Sequence, residues 1–287
     1  MKKILLGLGA ILLIGLGLAF WGGERFLLNV RAKQVDQSSF AERLELLQPN
    51  IIVRTPEGPG PFPVVFQMHG CAGARLEFQH MWADIAVRNG YMAVIIDSLR
   101  PRNVSRPQAL ETVCTGKQLI GQERAGDLLV VIDTILKRPD VNPEQLVLTG
   151  WSHGAWTAMD FLTMDLQDQR PAGLPAYNKA RPKIAGAVLF YPYCGIGTRT
   201  RINDWVEQPK TLALIAGADT IVDHRQCLSA FDKLEKAGIS IDRTIYPDTE
   251  HAFDDPFIEE GWKHWHSPEN LIDATDKVER FLIALNQ

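Results

Sequence analysis

The stretch from Gln145 to Gly154, Gln-Leu-Val-Leu-Thr-Gly-Trp-Ser-His-Gly, decides the fold of this chain. Residues 146–148 form a short apolar run typical of a buried strand, and residues 155–159 have the composition of a helix start. The Gly-x-Ser-x-Gly pattern between them is typical of a sharp turn that exposes a serine hydroxyl and aims the next backbone N–H at a developing oxyanion. The stretch therefore predicts Ser152 as a nucleophile and the backbone N–H of His153 as an oxyanion donor.

Ser152 has an alternative interpretation, because a serine after a strand-to-helix turn can also be an ordinary cap of the helix. The flanking glycines, Gly150 and Gly154, favour the sharp turn, since a Cβ there would collide with the neighbouring strand or helix. The nucleophile interpretation requires catalytic partners for Ser152 elsewhere in the chain.

The composition of the chain is that of a globular protein large enough to bury a substantial core. Of its 287 residues, 46% are hydrophobic and 22% charged, and the formal net charge is −4 with a pI near 6.0. The sequence contains no long basic run and no internal repeat. We therefore expect no nucleic-acid partner.

Residues 1–23 predict a membrane anchor or signal segment, followed by a stem at residues 24–49. Two lysines precede an unbroken apolar stretch, Ile4 to Trp21, which is long enough to cross a bilayer. The lysines favour an N-terminus left in the cytoplasm, so the remainder would be exported. A cleaved signal peptide and a buried core helix are the alternatives, but residues 18–21 offer no small-x-small cleavage site and four glycines make a poor soluble helix. We expect a protein anchored in the inner membrane, with its catalytic domain in the periplasm or outside the cell.

The four cysteines also fit an exported protein, and none of them forms a Cys-x-x-Cys pair. Three pairings are possible. We expect Cys71–Cys114 and Cys194–Cys227, because each pair would lie in loops at the same edge of the predicted sheet. Four unpaired buried thiols are the alternative if the domain is cytoplasmic.

Residues 50–287 predict one α/β domain in which strands and helices alternate. Strands are expected at 50–54, 64–68, 91–96, 146–148, 184–190, 211–216 and 242–246, and helices at 77–88, 118–137, 225–236 and 268–285. The continuous apolar runs are typical of a mostly parallel, doubly wound sheet with helices on both faces. The Pro/Gly-rich turn at residues 55–63 predicts a hairpin between the first two strands. The irregular segment at residues 97–116 predicts a loop that faces a ligand.

Two residues downstream could complete a catalytic triad with Ser152. Asp219 and His251 each follow a predicted strand, and the order Ser, Asp, His is that of the α/β-hydrolase fold. The carboxyl ends of parallel strands meet at one edge of a sheet, so these side chains would lie together. In this arrangement His251 takes the proton of Ser152, and Asp219 orients the imidazole and stabilises its cation.

Other residues could supply parts of the site. Asp223, Asp248 and Asp254 are alternative carboxylates, but Asp219 lies on the tight turn directly after a strand. His264 and His266 suggest a metal site, although their spacing points them apart, and packed or solvated side chains are the better interpretation. We expect no metal, and no cofactor, since the chain has no P-loop and no dinucleotide fingerprint. The side chain of His153 is expected to form a wall of the pocket.

The turn His69-Gly70-Cys71-Ala72-Gly73 follows a predicted buried strand. In a serine hydrolase of this fold, the loop at that position supplies the second oxyanion donor from its backbone, here the N–H of Cys71. An ordinary glycine-rich strand-to-helix turn is the alternative.

From about residue 50 to residue 285, the chain resembles the dienelactone hydrolase family of the α/β-hydrolase superfamily. The resemblance lies in four segments: His-Gly-Cys-Ala-Gly, Gly-Trp-Ser-His-Gly, Gly-Ala-Asp-Thr-Ile-Val and Tyr-Pro-Asp-Thr-Glu-His-Ala-Phe. It implies Ser152, Asp219 and His251 as the triad, with the N–H groups of Cys71 and His153 as the oxyanion hole. Dienelactone hydrolases themselves carry a cysteine nucleophile, and they carry glutamate where this chain has Gly70.

Because of these two differences, we expect a serine esterase that acts on a small-molecule carboxylic ester through an acyl-enzyme intermediate. A prolyl-oligopeptidase-like peptidase is the alternative within the same class. A non-catalytic α/β-hydrolase scaffold used for binding is the alternative from a different class, although such a scaffold has no need to keep all three triad residues. The sequence indicates neither the acyl group nor the oligomeric state.

Overall fold

The computed structural model describes residues 35–287, together with residues 22, 23 and 26. Its seven strands are β1 (Ile51–Arg54), β2 (Phe62–Met68), β3 (Met92–Ile96), β4 (Val141–Trp151), β5 (Ile184–Phe190), β6 (Lys210–Ala216) and β7 (Ile241–Tyr246). They form one sheet in the order β1-β3-β2-β4-β5-β6-β7. All neighbours pair in parallel except β1 and β3, so the prediction of a mostly parallel sheet is confirmed.

The predicted hairpin between the first two strands is wrong. β1 pairs antiparallel with β3, with Ile51 opposite Ile96, and β3 separates it from β2. Burial explains this placement. All seven residues of β2 are buried, so that strand needs neighbours and helices on every side, whereas all four residues of β1 are only partly buried and suit the edge of the sheet.

Helices cover both faces of the sheet. They are α1 (Phe40–Leu47), α2 (Leu76–Arg88), α3 (Arg106–Thr112), α4 (Gly121–Ile135), α5 (His153–Leu162), α6 (His224–Lys236) and α7 (Pro268–Leu285). Helices α4, α5 and α6 pack on one face, and α2 and α7 pack on the other. Alternate residues of the central strands enter the two cores: Phe66 faces the first and Val65 the second. The predicted doubly wound arrangement is therefore confirmed.

The predicted stem comprises residues 24–49, and its second half packs against this domain. Helix α1 begins with a capping box in which Ser39 and Glu42 bond each other's backbone N–H groups. Arg43 of α1 is buried and lies 2.9 Å from Asp127 of α4. Helix α1 is therefore part of the folded unit.

The predicted anchor, residues 1–23, lies outside the described residues except for its last two, Gly22 and Gly23. Within the part of the chain that the structure describes, no helix combines the length and the apolar character needed to cross a membrane.

The segment at residues 97–116 is more ordered than expected, because it contains a 3₁₀ turn at Arg100–Arg102 and helix α3. A disulfide joins Cys114 at its end to Cys71 after β2, with a Cα–Cα distance of 5.0 Å. A second disulfide joins Cys194 after β5 to Cys227 in α6. Both pairs are those expected from the sequence.

Candidate active site

Ser152 lies on the sharp turn between β4 and α5, in the centre of the sheet. Its φ of 53° and ψ of −111° form a conformation that side-chain-bearing residues rarely adopt, and such strain is concentrated at functional sites. The turn needs both flanking glycines. A Cβ on Gly150 would overlap the backbone of residues 154 and 155, and one on Gly154 would overlap the carbonyl of Met68. The Gly-x-Ser-x-Gly pattern therefore forms the predicted strand-turn-helix.

Asp219 and His251 lie side by side at the same edge of the sheet, after β6 and β7. His251 Nδ1 is 2.7 Å from Asp219 Oδ2. The other carboxylate oxygen of Asp219 accepts hydrogen bonds from the backbone N–H groups of Ile221 and Val222, each at 2.9 Å. The side chain of Asp219 is fully buried and that of His251 is 10% exposed. The turn thus fixes a carboxylate that in turn orients the imidazole.

The segment that follows β5 contacts both the serine turn and the histidine loop. The ring of Tyr191 packs against His251, with centroids 4.6 Å apart, and the N–H of Tyr193 donates to the Ser152 carbonyl at 3.4 Å. The N–H of Ser152 donates to the carbonyl of Phe190, the last residue of β5, at 2.9 Å. All three predicted triad residues therefore gather around the carboxyl end of one strand.

The alternative carboxylates have other partners or positions. Asp223 caps α6 through the N–H of Arg225, at 3.2 Å, and Asp248 is exposed. Asp254 accepts hydrogen bonds from residues other than His251, as described below. His266 Nδ1 lies 3.0 Å from the Phe253 carbonyl, and among the described residues no cluster of three or more His, Cys, Asp or Glu side chains could hold a metal.

Asp254 is a fully buried carboxylate that links the serine turn to the histidine loop. It accepts hydrogen bonds from Trp151 Nε1 at 2.9 Å and from the Tyr191 hydroxyl at 2.8 Å. Burial raises the pKa of Asp254 to about 7, although the two hydrogen bonds oppose this shift. Trp151 precedes Ser152 and Tyr191 packs on His251, so Asp254 connects the serine turn with the histidine loop.

Arg124 of α4 performs a similar role on the opposite side of Ser152. Its guanidinium is fully buried and donates to His153 Nδ1 at 3.0 Å and to the His69 carbonyl at 2.9 Å. These two partners belong to the two segments that carry the predicted oxyanion donors, the loop after β2 and the start of α5. Burial lowers the pKa of Arg124 to about 10, which leaves it charged at neutral pH.

The imidazoles of His153 and His69 lie on the same side of Ser152 as Arg124, and both are neutral. Burial, followed by the charge of Arg124, lowers the pKa of His153 well below its usual value and that of His69 to about 4. His69 Nε2 accepts the N–H of Ser98 at 3.1 Å, while its Nδ1 donates to the Gly70 carbonyl at 2.6 Å. His69 therefore fixes the turn that carries Cys71.

A pocket of about 290 Å³ opens beside Ser152. Its lining comes from the two segments that carry the candidate oxyanion donors and from three others: Cys71, Cys114, Thr115, Gly116, Ser152, His153, Trp156, Tyr193, Ile196, Ile221 and Val222. The ring of His153 packs on Trp156, with centroids 4.5 Å apart, so it forms a wall of the pocket as predicted. As the first residue of α5, His153 also has a backbone N–H that no carbonyl of its own helix accepts.

Sequence analysis missed Arg124, Asp254 and Tyr191 as members of this site, although it weighed Asp254 as an alternative acid. The position of Tyr191 directly after β5 was the available signal, because Ser152, Asp219 and His251 also follow strands at this edge. Arg124 lies inside a helix whose apolar pattern suggested only packing, and nothing in that pattern indicates its partners.

Comparison with known proteins agrees with this fold. An esterase from the Planctomycetes species Thermogutta terrifontis, with propionate bound, has a TM-score of 0.61 at 13% identity, covering 82% of this chain and 89% of that one. A carboxylesterase from Lactobacillus plantarum WCFS1 has a TM-score of 0.60 at 14% identity, covering 81% and 92%. At such identities the likeness shows the fold alone.

A curated relative named "Probable dipeptidyl-aminopeptidase B", from Talaromyces marneffei, is 23% identical over 209 residues. The match covers 67% of this chain but only 22% of that much longer protein. Its name therefore describes a protein of which this chain resembles one part.

The model of the dienelactone hydrolase family matches residues 50–282, which extends from β1 to the last turns of α7. This range contains every residue of the candidate site. On this match and on the fold, the chain belongs to the dienelactone hydrolase family of the α/β-hydrolase superfamily.

Proposed function

We propose that this chain is a serine hydrolase that cleaves carboxylic esters through a Ser152, His251 and Asp219 triad. The observation that carries the proposal is the 2.7 Å hydrogen bond between His251 and Asp219 at the sheet edge where Ser152 occupies its strained turn. The family and the esterase neighbours support hydrolysis, and the pocket beside Ser152 gives a small-molecule ester room to bind.

In the proposed reaction His251 removes the proton of Ser152 as its oxygen attacks the ester carbonyl. The resulting oxyanion accepts hydrogen bonds from the backbone N–H groups of Cys71 and His153, and Asp219 stabilises the imidazolium. His251 then gives its proton to the leaving alcohol, which departs and leaves an acyl group on Ser152. Water, deprotonated by His251, then attacks the acyl-enzyme. As the acid leaves, His251 gives that proton to the Ser152 oxygen and restores the hydroxyl. No step requires a metal or a cofactor.

The test is labelling by a fluorophosphonate probe combined with hydrolysis of 4-nitrophenyl esters. Ser152→Ala should abolish labelling and lower kcat by about 10⁶-fold, since the covalent route is lost. Ser105→Ala, outside the pocket, is the matched control and should retain both. If Ser152→Ala is labelled as strongly as the wild type, the proposal fails. If neither protein is labelled, the non-catalytic scaffold is favoured.

A peptidase is the second candidate, because the curated relatives carry peptidase names. Matched 4-nitroanilide and 4-nitrophenyl substrates with the same acyl group separate the two activities. Ester hydrolysis without amide hydrolysis would support the esterase, whereas Ser152-dependent release of nitroaniline would favour the peptidase.

We also propose that the protein is exported and held at the inner membrane by residues 1–23, with the catalytic domain outside the cytoplasm. The two disulfides support an extracellular or periplasmic location, because such bonds persist in oxidising compartments. Protease added to spheroplasts should degrade the domain, and carbonate washing should leave it with the membranes. Protection from the protease would contradict export.

A further inference from the structure

We infer that the pocket beside Ser152 binds an uncharged, apolar acyl group and excludes acyl groups that carry a carboxylate. The inference rests on the proposed function, because it concerns the acyl half of the ester that Ser152 would attack. It is carried by the position of the pocket, by the chemistry of its lining and by the hydrogen bonds that fix its walls.

The position of the pocket assigns it to the acyl group. Its lining includes both proposed oxyanion donors, Cys71 and His153, but not His251. The leaving alcohol must lie beside His251, since it receives its proton from that imidazole. The acyl group then extends from the carbonyl in the other direction, toward the residues that line the pocket.

The lining offers apolar surface and no charge. Trp156, Ile196, Ile221 and Val222 surround the pocket together with a disulfide, and none of its lining residues is Asp, Glu, Lys or Arg. His153 is the one basic side chain among the lining residues, and it is neutral because burial and Arg124 lower its pKa. A buried carboxylate without a counter-ion is costly, so an anionic acyl group would bind poorly.

The arginines near this edge already have partners. Arg124 donates to His153 and to the His69 carbonyl behind the pocket wall. Arg75 pairs with Asp255, and Arg106 lies 2.7 Å from Glu259. An incoming carboxylate would have to break one of these bonds to pair with any of these three guanidinium groups.

Fixed walls prevent the pocket from recruiting such a cation by rearrangement. Trp156 Nε1 donates to the buried Asp160 at 2.8 Å, and the Tyr193 hydroxyl donates to the Ile196 carbonyl at 3.1 Å. The disulfide between Cys71 and Cys114 fixes a third wall. The apolar shape is therefore built into the fold.

The test compares 4-nitrophenyl butyrate with 4-nitrophenyl hydrogen succinate. Both have a four-carbon acyl chain and the same leaving group, but the second ends in a carboxylate. We expect the wild type to prefer the butyrate by roughly 10²-fold in kcat/KM, the size of effect that one unpaired buried charge produces. Equal values, or a preference for the succinate, would overturn the inference.

A charge variant locates the effect. Ile221→Lys places a cation at the pocket, whereas Ile272→Lys places one at a comparably exposed isoleucine of α7 outside it. Ile221→Lys should narrow the preference for butyrate about 10-fold, by analogy with a partly desolvated charge pair, and Ile272→Lys should leave it unchanged. An unchanged ratio in folded Ile221→Lys would overturn the assignment of this pocket to the acyl group.

Failure of the proposed function would look different. In that case neither ester would be hydrolysed faster by the wild type than by Ser152→Ala, and the ratio of the two rates would reflect only their spontaneous hydrolysis.

Discussion

The two sides of Ser152 are each held by one buried ionisable side chain, a basic one on one side and an acidic one on the other. On the side of the proposed oxyanion donors, Arg124 donates hydrogen bonds to the His69 carbonyl and to the His153 ring. On the side of the proposed base, Asp254 accepts hydrogen bonds from Trp151 and from Tyr191, which packs on His251. In the proposed reaction negative charge develops on the first side and positive charge on the second, so each group is complementary to the charge that appears near it.

The two sides differ in their dependence on pH. The pKa of Arg124 falls only to about 10, so its cation persists throughout the neutral range. The pKa of Asp254 rises to about 7 because the carboxyl group is buried without a cation of its own. We conclude that the support of the oxyanion side is permanent, whereas the support of the base side changes its charge near neutral pH.

Of the changes to these two supporting side chains, removal of the Arg124 guanidinium should have the larger effect on activity. Arg124→Met would release the two oxyanion segments from each other, and we expect kcat for ester hydrolysis to fall by about 10²-fold to 10³-fold, as when an oxyanion donor is lost. KM should change much less, because Arg124 does not line the pocket. Steady-state kinetics on 4-nitrophenyl butyrate measure both constants.

Arg102→Met is the matched control for this variant. Arg102 makes a two-point contact with Asp127, at 2.9 and 3.0 Å, so its loss breaks a largely buried ion pair. That variant should lose stability but retain kcat in the folded fraction. If both variants lower kcat equally, Arg124 affects kcat only through the general stability of the fold.

Asp254→Asn should have a smaller effect on activity. Asparagine keeps the shape but turns one amide N–H₂ toward a donor, so one of the two hydrogen bonds is weakened. We expect kcat to fall by about 10-fold, because Tyr191 and His251 lose part of their fixed orientation. Unfolding should become easier by roughly 1–3 kcal/mol, measured by urea titration.

Asp273→Asn provides the comparison. Asp273 accepts the Tyr246 hydroxyl at 2.8 Å, the same length as the bond from Tyr191 to Asp254, but its partner is not packed on His251. The Asp273 variant should leave kcat unchanged. An equal loss of kcat in both variants would show that Asp254 has no special connection to the base.

Much of the site could be predicted from local sequence. Apolar runs mark the strands that precede Ser152 and Asp219, and His251 follows the more polar strand β7. Parallel strands bring their carboxyl ends to one edge. The two disulfides were predictable for the same reason, since three of their cysteines lie in loops at that edge and the fourth, Cys227, lies in the first turn of α6. In these cases topology converts a short pattern into proximity.

The supports of the site were not predictable, because they depend on contacts between distant segments. Arg124 and His69 are 55 residues apart, and Trp151 and Asp254 are 103 residues apart. A turn motif or an apolar period describes only neighbouring residues, so it contains no information on which buried side chains face each other. The pairing of β1 with β3 was missed because the Pro/Gly-rich turn suggested a local hairpin, whereas the partner strand lies about 40 residues further along the chain.

The smallest predicted effect is a change in how stability depends on pH at Asp254. A buried carboxyl group whose pKa is raised from 3.8 to about 7 binds its proton more tightly in the folded than in the unfolded state. Stability from this group is therefore fully present below pH 4 and is lost as the pH rises through 7. Asparagine does not titrate, so Asp254→Asn should be less destabilising at pH 8 than at pH 5. Urea titrations of both proteins at the two pH values measure this difference. Asp160 and Glu123, whose pKa values are also raised to about 7, remain in both proteins, so their contributions cancel. If the destabilisation is the same at both pH values, Asp254 is ionised throughout this range, and the base side of Ser152 is then supported by a charge as permanent as that of Arg124.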